Sequence, residues 1–380
     1  MKILHIAPYY APAYAFGGVV SALEGLAQAQ VQQGHSVMVL TTDALTRTER
    51  YTGPMHEERA GVQVIRIPNA IYALRRWNLS SPFGLSTELK SLTPDVIHLH
   101  EFRTVENVLA LSALKRIPTV LSPHATLRTD TGRGLVKQGW DRLISPRVAP
   151  AIRAIVALTA QEQQEIEAVW HTFAPTVPPI HIIPNGVDLE TFTHLPDGAA
   201  FRHKYGIGEG MVILFMGRLH ERKGVEVLVK AFQRANLTET WLVLAGPDEG
   251  MGERLRVIAG ERVIFTGFVT GEERLQALSA ADLFVLPAVG EGLSMAVLEA
   301  LATGLPVILS PGCNLPEAET QGAGLIVSPD EIPLTEALIQ LATNAARRAA
   351  MGAQARRWAK DTFAWPRIAT QMMSIYAGVM

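Results

Sequence analysis

The run Asp282-Leu283-Phe284-Val285-Leu286-Pro287, the loop Gly290-Glu291-Gly292-Leu293-Ser294, the stretch Met295-Ala296-Val297-Leu298-Glu299-Ala300-Leu301-Ala302-Thr303 and the run Pro306-Val307-Ile308-Leu309-Ser310 follow one another almost without interruption. The first and last are short, apolar and rich in branched residues, with no polar alternation, the pattern of strands buried on both faces of a parallel sheet. Met295–Thr303 has helical spacing and stops at Gly304. Strand, loop, helix, strand is a βαβ unit.

Outward from this unit the pattern repeats. Met211–Gly217, Trp241–Ala245, Val263–Gly267 and Gly324–Val327 read as strands, alternating with helical stretches such as Val225–Ala235. Earlier in the chain Lys2–Ala7, Ser36–Thr42, Val62–Ile67, Val96–His100, Thr119–Ser122, Ala154–Thr159 and Ile180–Ile183 do the same, with a crossover helix from Val19 to Gln33 closed by Gly34. Between the halves lies the turn-rich Pro184-Asn185-Gly186-Val187-Asp188. The expected architecture is α/β: two doubly wound, Rossmann-like parallel-sheet domains, residues 1–190 and 191–360, facing across a cleft. Beyond Ala337 the chain reads as mostly helical.

Composition agrees. The 380 residues suit two domains, and 48% hydrophobic against 18% charged residues suits large buried cores. A net charge of −2 offers no general attraction to nucleic acid, so any anionic partner must be met locally. A single cysteine, Cys313, permits no intrachain disulfide, and the Met1–Pro8 segment reads as a first strand because its apolar core is short and broken by His5 and Pro8. No apolar run reaches the roughly 18 residues of a spanning helix. A cytoplasmic protein is expected.

The sequence lacks the phosphate-loop, dinucleotide G-x-G-x-x-G, nucleophile-elbow and zinc-protease motifs. It also lacks D-x-D, a carboxylate pair suited to holding a divalent ion, so no metal or other cofactor is expected. What remains are loops suited to phosphate. Ser294 is placed to cap the helix that follows, whose first N–H groups and dipole would favour an anion. Glu299 interrupts an otherwise apolar helix and could accept hydrogen bonds from vicinal hydroxyls, as could Glu291 between its two glycines. A solvated acid is the plainer reading of any one glutamate. After the strand at 211–217 comes Gly217-Arg218-Leu219-His220-Glu221-Arg222-Lys223-Gly224, where Arg218 and Lys223 could neutralise a diphosphate; alone this would be a solvated basic loop.

In the first half, Gly17 and Gly18 follow the first strand and can bring backbone N–H groups to a ligand, a tight turn being the rival reading. His124 follows the Thr119–Ser122 strand; a lone histidine is more often structural. His98 and His100 share one face of a strand and, with Glu101, suggest a metal site, but no third ligand has suitable local spacing.

Taken together these residues resemble a retaining glycosyltransferase of family 4, with the GT-B architecture. The resemblance rests on the Glu-x7-Glu signature, Glu291 to Glu299, with Gly217-Arg218-Leu219, Lys223-Gly224, Pro184–Asp188, Thr266-Gly267-Phe268, Ala281–Pro287 and Phe363-Ala364-Trp365, in family order over nearly the whole chain. It implies a hexosyl transfer from a nucleoside diphosphate sugar, UDP by default, to a glycan, lipid-linked or small-molecule acceptor. Glu299 would hold the ribose, Arg218 and Lys223 the diphosphate, and Glu291 with Gly292, Leu293 and Ser294 the sugar. Phe268 and Val269 would meet the base largely through backbone. Gly17 and Gly18 would close on the phosphate, and His124 would sit beside the sugar as part of the catalytic set. The final segment, 361–380, is expected to cross back to the first domain, leaving Phe363 and Trp365 structural. A nucleotide-sugar 2-epimerase of the same architecture and a non-catalytic sugar-nucleotide-binding regulator are the competing readings.

One segment departs from the near-neutral total. Between Arg128 and Arg153, six basic residues (Arg128, Arg133, Lys137, Arg142, Arg147, Arg153) face Asp130 and Asp141, with Leu135, Val136, Trp140, Leu143 and Ile144 between them. This suits peripheral contact with anionic lipid at the inner face of a membrane, or a lipid-phosphate acceptor. An ordinary helix packed on the sheet is the competing expectation.

Overall fold

The computed structural model describes residues 1–77, 79–127 and 134–380. The chain divides into two units, Met1–Gly186 with Trp365–Met380, and Val187–Ala364. The first break therefore falls at Gly186, not 190, and the return at Trp365, not 361.

The first unit carries an eight-stranded sheet: β1 (Lys2–Ile6), β2 (Ser36–Thr42), β3 (His56–Arg59), β4 (Val62–Ile67), β5 (Val96–His100), β6 (Thr119–Ser122), β7 (Ala154–Ala157) and β8 (Ile180–Ile182). Their spatial order is β3-β4-β2-β1-β5-β6-β7-β8. Among the strands of the described residues only the β3–β4 pair is antiparallel. The second unit holds six parallel strands, β9 (Met211–Met216), β10 (Thr240–Ala245), β11 (Val263–Gly267), β12 (Leu283–Leu286), β13 (Val307–Leu309) and β14 (Gly324–Ile326), ordered β11-β10-β9-β12-β13-β14. Every residue of β5, β6, β7, β12 and β13 is buried, which is why these strands read as unbroken apolar runs.

The strand order reverses beside β1 in one unit and beside β9 in the other, because each has its successor on one side and a later strand on the other. In open α/β sheets the ligand crevice opens beyond the carboxyl end of the strand at such a switch point. The loops that meet this condition are those leading to Gly17 and from Gly217 to Gly224.

Helical expectations at Val225–Ala235 and Met295–Thr303 agree with the observed helices to the residue, and the first crossover helix spans Gly18–Gln32. β3 has no counterpart among the strands expected from apolar runs. Its residues, His56-Glu57-Glu58-Arg59, alternate exposed and half-buried, and a charged edge strand of this kind resists pairing with other chains.

The last helix, Trp365–Val379, belongs to the first unit and packs on Gly18–Gln32. Trp365 explains two glycines. A Cβ on Gly25 would lie 2.2 Å from the indole, and one on Gly186 would lie 2.4 Å from it. In the second unit Phe363 is buried against Trp358 at 5.1 Å between ring centres, and its carbonyl accepts the Val187 N–H at 2.6 Å.

Candidate functional site

In the second unit the loops after β9 and β12 are tied together by backbone. Val289 N–H donates to the Arg222 carbonyl at 2.8 Å, and Arg222 Nη2 returns a bond to the Gly290 carbonyl at 2.7 Å. Gly224 has φ +68°, and a Cβ there would stand 2.1 Å from the Pro287 carbonyl oxygen, so only glycine allows this approach. Across the junction Lys223 Nζ meets Glu291 Oε2 at 2.7 Å, with the two side chains 13% and 17% exposed. Glu291 is itself held by backbone: its N–H donates to Gly312, and Asn314 Nδ2 donates to its carbonyl at 2.6 Å. The structure thus joins directly two residues that the sequence assigned to different parts of one ligand.

Arg218, on the same loop, is more open, with 41% of its side chain exposed. Its Nη1 contacts both Glu249 oxygens at 3.1 and 3.0 Å. Glu249 follows β10, and the loops are laced by Leu219 N–H to the Pro247 carbonyl and Glu249 N–H to the Leu219 carbonyl.

Glu299 is buried, as its position in an apolar helix implied, and its partner is Arg274 of the Gly271–Ala280 helix. Burial raises its pKa while the guanidinium opposes the rise. Phe268 is exposed, whereas the Val269 side chain is buried, leaving Val269 only its backbone to offer. Leu293 is also buried.

Ser294 occupies the N-cap position in an extended conformation, but its hydroxyl makes no capping bond. This corrects the expected cap. The backbone takes over, with Val297 and Leu298 N–H groups both donating to the Ser294 carbonyl at 3.1 and 3.2 Å. The N–H groups ahead of them have no partner further back in the helix, the general condition of a helix start.

In the first unit Gly17 has φ +99°, with open space where a Cβ would sit, so conformation rather than crowding calls for glycine, and Gly18 opens the helix. The preceding turn is held by Tyr9 stacked on Phe16 at 3.7 Å, with the Arg75 guanidinium over Tyr9 at 4.6 Å. His124 and Ala125 are both left-handed, at φ +53° and +57°. Glu162 fixes this turn by accepting the Ala125 N–H at 2.5 Å and, through its other oxygen, the Leu158 N–H at 2.7 Å. Burial pushes Glu162 up to about 7. Its only sequence signal is the Thr159-x-x-Glu162 spacing of a helix start, where Thr159 accepts the Glu162 N–H.

The suggested histidine pair gains a third ring from a neighbouring strand. His5 of β1 lies in register with His98 of β5, and the nitrogens of His5, His98 and His100 approach within 4.8 Å of one another. Glu101 is not in the group. It turns off the strand at φ +61°, and burial with Glu106 nearby raises its carboxyl to about 7. All six nitrogens of the three rings already have hydrogen-bond partners: Gln30, His100 and His5, His124, Tyr376 and Ser122. The cluster is a hydrogen-bonded chain in which His5, not Glu101, joins His98 and His100.

Of the basic segment, Arg128, Asp130 and Arg133 lie outside the described residues. The Gly134–Leu143 helix does not bury its apolar side. Leu135, Val136 and Leu143 are 85%, 55% and 63% exposed, while Asp141 is turned inward onto Arg103, which grips both its oxygens at 2.8 and 2.6 Å. The expected amphipathic helix packed on the sheet is met only in part: Leu135, Val136 and Leu143 face outward, while Ile144 packs against the core of the first unit. Among the described residues no helix is long and apolar enough to cross a membrane.

A family model described as Glycosyltransferase Family 4 matches residues 16–191, and one described as Glycosyl transferases group 1 matches residues 210–344. The chain is 27% identical to a glycogen synthase of Mycobacterium tuberculosis, over 99% of this chain and 94% of that protein. It is 25% identical to a GDP-mannose-dependent alpha-(1-6)-phosphatidylinositol dimannoside mannosyltransferase of the same species, over 98% and 95%. Among solved structures, sucrose-phosphate synthase from Thermosynechococcus elongatus superposes with a TM-score of 0.79 at 20% identity, covering 99% of this chain and 98% of that one. Anabaena Alr3699/HepE in complex with UDP and glucose also gives 0.79, at 19% identity over the whole of both chains. These structural likenesses establish the fold, two Rossmann-like units of the GT-B type.

Proposed function

Because the chain belongs to glycosyltransferase family 4, we propose that it moves a hexosyl group from a nucleoside diphosphate sugar to a glycan, lipid-linked or small-molecule acceptor, with retention of configuration and without a metal. The observation that carries this reading is the clamp between the loops after β9 and β12, where Lys223 and Glu291 meet beside a helix start whose serine hydroxyl caps nothing. Departure of the diphosphate builds negative charge, which Arg218, Lys223 and that helix start would stabilise, and the low exposure of the Lys223–Glu291 pair supports a site where such stabilisation is strong. Glu299, oriented by Arg274, suits the ribose hydroxyls, and Glu291 with Gly292–Ser294 suits the sugar. From the first unit, family likeness assigns Gly17 and Gly18 to phosphate and His124 to sugar. The leaving phosphate oxygen takes the acceptor proton, so no separate base is required. UDP is the default nucleotide, in line with the HepE complexes with UDP and UDP-glucose, and GDP is its rival, in line with the GDP-mannose-dependent relative.

Incubation with UDP-, GDP- and ADP-sugars, read by nucleotide release and product NMR, tests the reading. Transfer gives nucleotide and a new glycoside of unchanged anomeric configuration, and a chelator leaves the rate unchanged. An isomerised donor without nucleotide release would show an epimerase, and no turnover with any donor and acceptor would leave a binder.

The outward apolar residues of the Gly134–Leu143 helix, flanked by Lys137, Arg142 and Arg147, support a further part of this proposal: peripheral contact with anionic lipid, where a lipid-linked acceptor resides. The chain is expected to float with phosphatidylserine vesicles at low salt and to release at high salt; absence of salt-sensitive flotation overturns the contact.

A further inference from the structure

The buried rings of the first unit belong to one continuous hydrogen-bond chain centred on Gln30. On one side Gln30 Oε1 meets His5 Nε2 at 2.8 Å, His5 Nδ1 meets His100 Nε2 at 3.0 Å, and His100 Nδ1 meets His124 Nε2 at 2.9 Å. On the other, Gln30 Nε2 donates to Tyr376 Oη at 3.2 Å, Tyr376 meets His98 Nδ1 at 2.7 Å, and His98 Nε2 meets Ser122 Oγ at 2.8 Å. His5, Gln30, His98, His100 and Tyr376 are at most 1% exposed.

Burial holds His5 and His124 at about 4 and, with the neighbouring rings, lowers His98 and His100 well below the usual imidazole range, so near neutral pH each ring is uncharged. An uncharged imidazole has one N–H and one lone pair, so each ring hands on the direction of the bond it receives. The amide oxygen of Gln30 only accepts, which places the His5 proton on Nε2. His5 Nδ1 then accepts from His100 Nε2–H, and His100 Nδ1 accepts from His124 Nε2–H. Across the amide, Tyr376 donates to His98 Nδ1, and His98 Nε2–H donates to Ser122. Turning the Gln30 amide end for end would move all four ring protons to Nδ1, so the chain has two complete settings and the observed orientation selects one.

We propose that Gln30, acting through His5 and His100, is a positioning residue that fixes the tautomer of His124, so that His124 presents its Nδ1 lone pair to substrate as an acceptor for a sugar hydroxyl. The proposal rests on the reading of His124 as a substrate-facing residue. It accounts for three buried histidines and a buried glutamine that the proposed chemistry does not otherwise use, and it links the last helix, through Tyr376, to the same setting.

The test is side-chain ¹⁵N–¹H NMR of the full chain labelled at histidine. His5, His98, His100 and His124 are expected in the neutral Nε2–H form. Gln30→Leu is expected to give mixed tautomers at His5, His100 and His124 and to lower kcat/KM about tenfold, the value of one hydrogen bond. Gln30→Glu, whose carboxylate also accepts from His5, is expected to restore the Nε2–H form at His124. Wild-type rings in the Nδ1–H form, an unchanged His124 in Gln30→Leu, or rings whose signals move with stoichiometric zinc would each overturn the relay. If the tautomers behave as stated but His124→Ala transfers sugar normally, the relay stands and the substrate-facing reading of His124 fails.

Discussion

Arg218→Ala is expected to lower turnover of the nucleotide-sugar donor about 100- to 1000-fold, the usual loss when one preorganised donor to developing negative charge is removed. The fold should hardly notice. The Arg218 side chain is 41% exposed and its partner Glu249 is 23% exposed, and a pair so open is worth about 0–1 kcal/mol. The loop itself is kept in place by the backbone bonds of Leu219 with Pro247 and Glu249, which the substitution leaves intact. Arg218→Lys should recover little, because a point charge cannot make the two parallel contacts of the guanidinium fork with a diphosphate. Steady-state kinetics beside a thermal melt check this. A variant that melts like the parent and still transfers at a near-parental rate removes Arg218 from the diphosphate.

Why some of this site was legible in the sequence, and some not, follows from the range of the interactions. Glu299 was conspicuous because a carboxylate in an apolar helix must find a partner, but the partner's identity depends on how the Gly271–Ala280 helix packs, so Arg274 was invisible. Glu249, in the loop after β10, and Glu162, in the first turn of the Ala160–Trp170 helix, are set the same way, by other segments closing on Arg218 and Ala125. His5 joins His98 only because β1 and β5 are neighbours in register, although 93 residues separate the two rings. The strands themselves needed no such knowledge, since burial on both faces writes itself as an uninterrupted apolar run. β3 was missed for the converse reason, because an edge strand of His-Glu-Glu-Arg carries no such mark. Ser294 shows a local rule at its limit: the residue type and position of a cap were right, yet the hydroxyl makes no capping bond, and of the amides it could have taken the Val297 N–H goes to the main-chain carbonyl. The basic segment erred in the other direction. Its spacing fits a helix packed by its apolar residues, but Arg103 draws Asp141 inward and rotates the leucines out.

Lys223 and Glu291 should behave as one element, which makes them the most informative double substitution. With side chains 13% and 17% exposed and 2.7 Å apart, each shields the other from the cost of a buried charge. Lys223→Met should therefore destabilise the second unit by about 3 kcal/mol, the cost of leaving an uncompensated buried charge, because the Glu291 carboxylate, 17% exposed on a main chain held by Gly312 and Asn314, loses its partner where water reaches it poorly. Glu291→Gln should cost a similar amount by stranding the ammonium. The double variant should recover much of that loss, with a coupling of about 1–3 kcal/mol. Activity should not recover. Each single variant is expected to fall about 100- to 1000-fold, and the double no further than the worse single, as happens when two residues act as a unit on one developing charge. Denaturant unfolding of the four proteins, beside kinetics at saturating donor, separates these outcomes. Stability losses that simply add would mean that the pair is not coupled. Transfer restored along with stability would mean that Lys223 and Glu291 hold the two loops together and do not touch the donor.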